Sequence, residues 1–398
     1  MIEWLSRADP GSSYLKTGEG EWTYGETLEE VRRRMDSATT VLTPGSNADS
    51  VFDLLAGISG GGVIVLPPGL EMQREGALAG TALVVFTSGT TGGPKGVRLT
   101  MSNLEAASRA SRSHLGHGRT DTWLVAMPLY HVGGISVLVR SAYAGGAVLL
   151  HDGFEAARFA AALRGSATVT SVVPTMLLRL LEEDPGPYRG LRAVLVGGAP
   201  IPAGLLKRAA GAGLPVLPTY GMTETFGQAA TLRPGAPLGR RAHLLPGVDI
   251  RIGEEGRIEV RGDQVAPGYL GEPDRPSPWL VTGDLGEVDE DGALRILGRA
   301  DSVIVTGGEN VDPAEVESRI AEHPGVDEAV VVGLADEEWG EALACLYTGS
   351  AQPDELRSWL RERLPGYMVP KRWRAIGGLP RTPLGKPDRQ AAAAAFDS

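Results

Sequence analysis

Residues 82–96 read Ala82-Leu83-Val84-Val85-Phe86, then Thr87-Ser88-Gly89-Thr90-Thr91-Gly92-Gly93-Pro94-Lys95-Gly96. The apolar half has the length and composition of a buried strand. The second half gathers hydroxyls and glycines ahead of a Pro-Lys-Gly end. Glycine lets backbone approach a ligand and aim successive N–H groups at it. Hydroxyls add donors, and Lys95 adds positive charge. Such a loop suits the phosphates of a nucleotide. It is not a Walker A loop, because Lys95 follows Pro94 and Gly96 stands where Ser or Thr is required. The plainer reading is a Gly/Ser/Thr-rich surface loop.

The chain around it has 398 residues, enough for two or more domains with sizeable cores. Its formal charge of −11 argues against non-specific nucleic-acid or anionic-membrane binding. Cys345 is the one cysteine, so a disulfide within the chain is excluded, and its apolar run reads as a buried structural thiol. The start lacks a signal-peptide pattern, and no stretch approaches the ~20 apolar residues of a membrane span. These features predict a cytoplasmic protein without stable membrane insertion; a homodimer stays open. Lysine occurs only at 16, 95, 207, 371 and 386 among many arginines. Lys95 and Lys386 both lie beside glycine, which suggests that a compact ammonium is wanted there.

From Ala82 to about Gly221, apolar runs such as Thr168–Val173, Leu191–Val196 and Leu214–Leu217 alternate with helical stretches Phe154–Arg164 and Pro174–Glu183. That pattern predicts βα units and a mostly parallel sheet flanked by helices. After Tyr220 the period becomes two, as in Val248–Ile252 and Gly256–Arg261, predicting a β-rich subdomain over about 222–300. From about Ser302 an acidic helix over Pro313–His323, a strand over Val326–Gly333 and a helix over Pro353–Leu364 predict a small α+β unit.

Four further strings carry chemistry. Pro128-Leu129-Tyr130-His131-Val132-Gly133-Gly134 sets a histidine before a Gly-Gly pair that permits close packing. Val194–Pro200 is a strand ending in Gly197-Gly198-Ala199-Pro200. Thr219-Tyr220-Gly221-Met222-Thr223-Glu224 puts an aromatic, a glycine, a hydroxyl and a carboxylate after an apolar strand. Tyr220 can face an adenine, and Glu224 can ligate the Mg²⁺ of a nucleotide, since that ion takes few carboxylates besides phosphate and water. Thr282-Gly283-Asp284 ends a strand in a carboxylate able to accept from two ribose hydroxyls. No Ser-His or Cys-His arrangement suggests a protein nucleophile.

Together with Gly298-Arg299-Ala300-Asp301 and Gly385-Lys386, these strings resemble, in order, the motifs of the acyl-adenylating superfamily. The resemblance covers nearly the whole chain. It implies an α/β core over 1–300 and a small mobile α+β domain over 301–398. It implies two half-reactions, in which a small carboxylic acid and Mg·ATP give acyl-AMP, and coenzyme A then displaces AMP. By that resemblance Thr87, Ser88, Gly89, Thr90, Thr91, Gly92 and Lys95 hold phosphates. Gly198, Ala199, Pro200, Thr219, Tyr220, Gly221, Met222 and Thr223 surround the adenylate. Asp284 and Arg299 take the ribose, and Glu224 the metal. His131 lines and gates the acyl pocket, and Thr223, Glu224, His131 and Lys386 serve catalysis. Asp301 is the hinge, and the Thr306–Asn310 loop with Gly307 and Gly308 meets coenzyme A. Two departures stand out: Met101 lies near a usual histidine, and fewer residues than usual precede Thr87.

Met127–Leu138, Val173–Leu181 and Val305–Glu317 further resemble the o-succinylbenzoate–CoA ligase family of menaquinone synthesis. A dicarboxylate substrate needs a partner for its second carboxylate. His131 and Arg140 are candidates, with a surface salt bridge the alternative for Arg140. The competing classes are an adenylating enzyme that loads a carrier protein, which would stop at acyl-AMP with free coenzyme A, and a non-catalytic nucleotide-binding protein, against which Lys386, Glu224 and Asp284 argue.

Overall fold

The alternating apolar runs become strands whose side chains divide between two faces. In the strand Ala193–Val196, Ala193 and Leu195 enter one buried cluster, while Val194 and Val196 enter another. Trp123 and Val125 face the first cluster and Leu124 the second. Successive strand residues point to opposite faces, so a strand covered on both sides is apolar throughout. The helix Val132–Ala144 covers the first face. The helices Ala156–Arg164, Pro174–Glu183 and Ala203–Gly211 cover the second. The computed structural model describes residues 1–35, 41–72, 78–87, 94–237, 242–300, 302–381 and 387–396.

Among the described residues the largest sheet has thirteen strands. Ser13–Lys16, Ala147–Leu150, Thr122–Val125, Val169–Val172, Ala193–Val196 and Val216–Met222 pair in parallel. Beyond Val216–Met222 every pairing is antiparallel, through Gly227–Thr231, Ala242–Leu244, Ala293–Arg299, Leu280–Val288, Arg257–Gly262 and Val248–Ile252. The antiparallel, β-rich segment is therefore continuous with the parallel sheet. Val216–Met222 uses one edge for a parallel neighbour and the other for an antiparallel one, so the two textures are continuous.

A second sheet orders Gly268–Tyr269, Lys95–Leu99, Leu83–Thr87, Val63–Val65 and Val41–Leu42. Leu83–Thr87 and Lys95–Leu99 form a hairpin in which Thr87 faces Lys95. The residues 88–93 that join them, including Ser88, Gly89, Thr90, Thr91 and Gly92, lie outside the described residues. One piece of the β-rich segment, Gly268–Tyr269, leaves the large sheet and pairs with Lys95–Leu99.

A third sheet draws only on residues after 301. It joins Glu309–Val311, Ile304–Thr306, Gly340–Gly349, Val326–Asp336 and Arg372–Ala375. Pro313–Ile320 and Pro353–Arg361 pack on one face, and Arg389–Ala394 on the other. Cys345 is fully buried in this core, and burial pushes its thiol well above the ordinary range. It is the inert structural thiol that its sequence surroundings suggested.

Candidate active site

Val216–Met222 is the strand at which the large sheet changes from parallel to antiparallel. In open α/β sheets ligands commonly bind outside the carboxyl ends of the strands. Thr219, Tyr220, Gly221 and Met222 lie at that end. Thr219 Oγ1 is 2.7 Å from Thr231 Oγ1, which ties the strand to its antiparallel neighbour. On the parallel side, a Cβ on Gly197 would come within 2.6 Å of the Thr219 carbonyl oxygen. Gly198 follows with φ of 80°, a left-handed conformation that favours glycine. The turn through Gly198, Ala199 and Pro200 thus starts beside Thr219.

Tyr220 Oη donates to Asp284 Oδ2 at 2.7 Å, and Arg299 Nη1 lies 3.3 Å from Asp284 Oδ1. Asp284 and Arg299 face each other across an antiparallel pair. Gly283 leaves room for them, because a Cβ there would stand 2.6 Å from Arg299 Nη2. Burial, with the Asp284 charge beside it, pushes the Tyr220 phenol well above its usual range. Three residues separated by up to 79 positions in sequence therefore form one hydrogen-bonded unit at the strand ends.

Thr223–Thr225 is a single 3₁₀ turn closed by Phe226, whose φ of 49° is left-handed. Phe226 N–H donates to the Thr223 carbonyl at 3.0 Å. This turn presents Glu224, whose Oε1 accepts from Tyr269 Oη at 2.9 Å. The Glu224 carbonyl accepts from Ala266 N–H at 2.7 Å. Lys95 begins the second strand of the phosphate-loop hairpin, with Nζ 5.2 Å from the Tyr269 ring centroid and 3.9 Å from Glu272 Oε1. Glu224, Tyr269 and the Lys95 hairpin therefore form a second group, joined to the first by the Tyr220–Glu224 segment.

His131 is the N-cap residue of Val132–Ala144, and its ring lies 4.6 Å from that of Tyr130. Packing against backbone requires the second glycine of the pair, and the first sits against a flexible side chain. A Cβ on Gly134 would come within 2.4 Å of the Pro128 carbonyl, and one on Gly133 within 3.0 Å of the Met127 side chain. Arg140, two turns further on, is not a surface residue. It is 3% exposed, which excludes the surface salt bridge, and its Nη2 donates to the Phe226 carbonyl at 2.9 Å. Burial lowers its guanidinium to about 10. Arg140 thus braces the turn that carries Glu224.

Gly307 and Gly308 sit in the tight connection between Ile304–Thr306 and Glu309–Val311, with φ of 59° and 83°. The expected loop is thus largely a hairpin. Gly307 is held by the Trp339 carbonyl at 2.9 Å, and a Cβ on it would lie 2.7 Å from the Trp339 ring. Asp301 and Lys386 lie outside the described residues. Tyr269 and Trp339 escaped the reading from sequence. The only local trace of Tyr269 is an aromatic in the Pro-Gly-rich run Pro267-Gly268-Tyr269-Leu270-Gly271.

The sequence profile of AMP-binding enzymes matches residues 71–270, and that of the AMP-binding enzyme C-terminal domain matches residues 315–386. The 2-succinylbenzoate–CoA ligase of Bacillus licheniformis is 38% identical over 343 residues, which span 80% of this chain and 71% of that one. Bacillus subtilis o-succinylbenzoate CoA synthetase (MenE), in complex with the acyl-adenylate intermediate OSB-AMP, superposes with a TM-score of 0.88 at 28% identity, covering 98% of this chain and 97% of that one. A double mutant of the same enzyme bound with the product analogue OSB-NCoA gives 0.71 at 29% identity, covering 98% and 96%. By the profiles that match both halves of its sequence and by its 38% identity to a curated relative, the chain belongs to the AMP-binding enzyme family.

Proposed function

We propose that this chain is a 2-succinylbenzoate–CoA ligase, an AMP-forming acid–thiol ligase of menaquinone biosynthesis that uses ATP, Mg²⁺ and coenzyme A. The observation that carries the reading is the Tyr220–Asp284–Arg299 unit at the strand switch, in a chain 38% identical to a ligase of that name. Tyr220 offers a flat face to adenine. Asp284 and Arg299 offer an acceptor and donors to the ribose. The Thr87–Lys95 segment takes the phosphates, and Thr223 lies at the start of the turn bearing the metal carboxylate.

Glu224 fits the metal. Its Oε2 takes no hydrogen bond from a described residue, and no group of three or more His, Cys, Asp or Glu lies together among the described residues. A single hard-oxygen ligand suits Mg²⁺, which keeps water and substrate phosphate as its other ligands. Bound there, the ion would neutralise phosphate charge.

In the first half-reaction a carboxylate oxygen of the acid bonds to the α-phosphorus as the bond to pyrophosphate breaks. Fixed donors and Lys386 stabilise the charge that develops. In the second, the coenzyme A sulfur bonds to the acyl carbon, AMP leaves, and the thiol proton passes to solvent. The division at 300/301, the Asp301 hinge and the approach of Gly307 and Gly308 belong to this reading. So do the acyl-pocket role of His131 and the adenylate contacts of Gly198, Ala199, Pro200, Gly221 and Met222. The higher TM-score with the acyl-adenylate complex, 0.88 against 0.71, supports an adenylate-forming arrangement here. The finer reading is a cytoplasmic enzyme working without nucleic acid or membrane insertion, alone or as a homodimer. Its net charge of −11 supports the first part, and light scattering reads the second.

ATP–pyrophosphate exchange over a panel of aryl and alkyl acids tests the function. Exchange should depend on 2-succinylbenzoate, and coenzyme A should then yield AMP and the thioester. Exchange with another acid alone would overturn the substrate. A halt at acyl-AMP in the presence of coenzyme A would point to a carrier-protein acceptor.

A further inference from the structure

Tyr269 is the one described side chain that contacts both charged groups assigned to the phosphate end of the site. It reaches them from a strand far away in sequence. Gly268–Tyr269 pairs with the second strand of the phosphate-loop hairpin, Gly268 facing Arg98 and Tyr269 facing Val97. Leu270 N–H donates to the Gly96 carbonyl at 2.7 Å, and Arg98 Nε donates to the Tyr269 carbonyl at 3.0 Å. These bonds fix the Tyr269 backbone to the hairpin. Its ring then lies under Lys95 Nζ at 5.2 Å, within range of a cation–π attraction. Its hydroxyl donates to Glu224 Oε1 at 2.9 Å.

Glu224 needs such a constraint. It stands on one short turn, and a free glutamate side chain has several rotamers. Its backbone is tied through Ala266 N–H, but its carboxylate has only the Tyr269 hydroxyl as a described hydrogen-bond partner. Glu224 and Tyr269 also border a cavity of about 270 Å³ lined further by Gly268, Glu272 and Arg275. Glu224 thus stands beside space with room for an ion and its waters. A hydroxyl on Oε1 leaves Oε2 as the oxygen without a described hydrogen-bond partner.

We propose that Tyr269 is a positioning residue for Mg·ATP: it holds the Glu224 carboxylate and the Lys95 ammonium at a set separation, so that the triphosphate and its cation span them. This rests on the adenylating function above and adds to it a residue acting through two others. It predicts that the hydroxyl and the ring of Tyr269 have separable effects. The hydroxyl acts on the cation through Glu224, and the ring acts on the phosphates through Lys95.

Tyr269→Phe removes the first and keeps the second. Calorimetric titration of ATP at a series of Mg²⁺ concentrations reads the cation without turnover. The Mg²⁺ concentration for half-maximal ATP binding should rise about tenfold or more, the loss expected for one hydrogen bond to a charged group. Acyl-AMP formation should fall by a similar factor at limiting Mg²⁺ and recover when Mg²⁺ is in excess. Thioester formation from pre-made acyl-AMP should stay unchanged. Tyr269→Leu should in addition weaken ATP binding at saturating Mg²⁺. A Tyr269→Phe titration that overlays the wild type overturns the proposal. So does a proportional fall in both half-reactions together with a lowered melting temperature, which would make Tyr269 a packing residue. A wild-type protein that binds Mg·ATP but exchanges no pyrophosphate with any acid sinks the functional reading instead, and the binding titration still judges Tyr269.

Discussion

Two polar clusters attach to the same hairpin, Val216–Met222 with Gly227–Thr231, and they are built on opposite terms. In the first, Tyr220, Asp284 and Arg299 satisfy one another, and Arg299 keeps 43% of its side chain exposed. In the second, Arg140 and His117 are each 3% exposed. Among the described residues Arg140 Nε and both nitrogens of His117 have no hydrogen-bond partner, and the Arg140 guanidinium meets a carbonyl instead of a carboxylate. Paired groups at a strand-end crevice keep hydrogen-bonding capacity that a ligand can take over. A buried charge with one neutral partner costs stability, and what it holds is the Phe226 turn beneath Glu224. The difference separates groups that meet the nucleotide from groups that hold those groups in place.

The largest effect should come from the first cluster. Asp284→Ala deprives Tyr220 of its acceptor and Arg299 of its carboxylate. It also deprives two ribose hydroxyls of a charged acceptor, and two such hydrogen bonds at about 1.5–3 kcal/mol each predict a loss on the order of 10² or more in kcat/KM for ATP. Melting temperature should change little, because the cluster is partly solvated. An ATP dependence within twofold of wild type would show that the ribose is held elsewhere.

Arg140→Met should separate function from stability. Replacing a buried, unpaired charge by an apolar side chain of similar length is often neutral or stabilising. The Phe226 carbonyl loses its donor, and the Glu224 turn loosens. Acyl-AMP formation should therefore fall about tenfold or more, the worth of one charged hydrogen bond of at least ~1.5 kcal/mol, at equal or higher melting temperature. A drop in stability that matched the loss of activity would make Arg140 a core residue and erase the contrast between the clusters.

The first cluster was legible from sequence, and the second was not. Tyr220, Glu224, Asp284 and Arg299 each sit at the end of an apolar run, where a polar residue is conspicuous. Arg140 interrupts the apolar helix Val132–Ala144, but a lone arginine there looks the same whether it faces solvent or Phe226, 86 residues away. Tyr269 depends on pairing with a strand 172 positions earlier, and strand partners at that distance leave no local pattern. The β-rich segment was recognised by its period of two. Its continuity with the parallel sheet was not, because alternation reveals which faces of a strand are buried but not which neighbour each edge finds.

The smallest effect is one of slope, and it tests whether the second cluster is as poorly paired as its geometry says. Burial, aided by the Arg140 charge, lowers His117 to about 4. The unfolded chain therefore binds a proton near pH 6.5 that the folded chain refuses until about pH 4. Between those values the unfolded state holds more protons, so stability rises with pH and is lost as the pH falls through the window. Over the whole window this amounts to on the order of 3 kcal/mol. His117→Phe keeps an aromatic ring against Trp123, which His117 meets edge-on at 5.1 Å. The larger ring costs about 1–3 kcal/mol of overpacking at every pH, which lowers the curve without tilting it. Urea unfolding at intervals from pH 7 to pH 4 should show a shallower fall in the variant than in the wild type. Equal slopes would mean that His117 accepts a proton in the folded state, and hence that it has a partner offsetting Arg140. The second cluster would then be as well paired as the first.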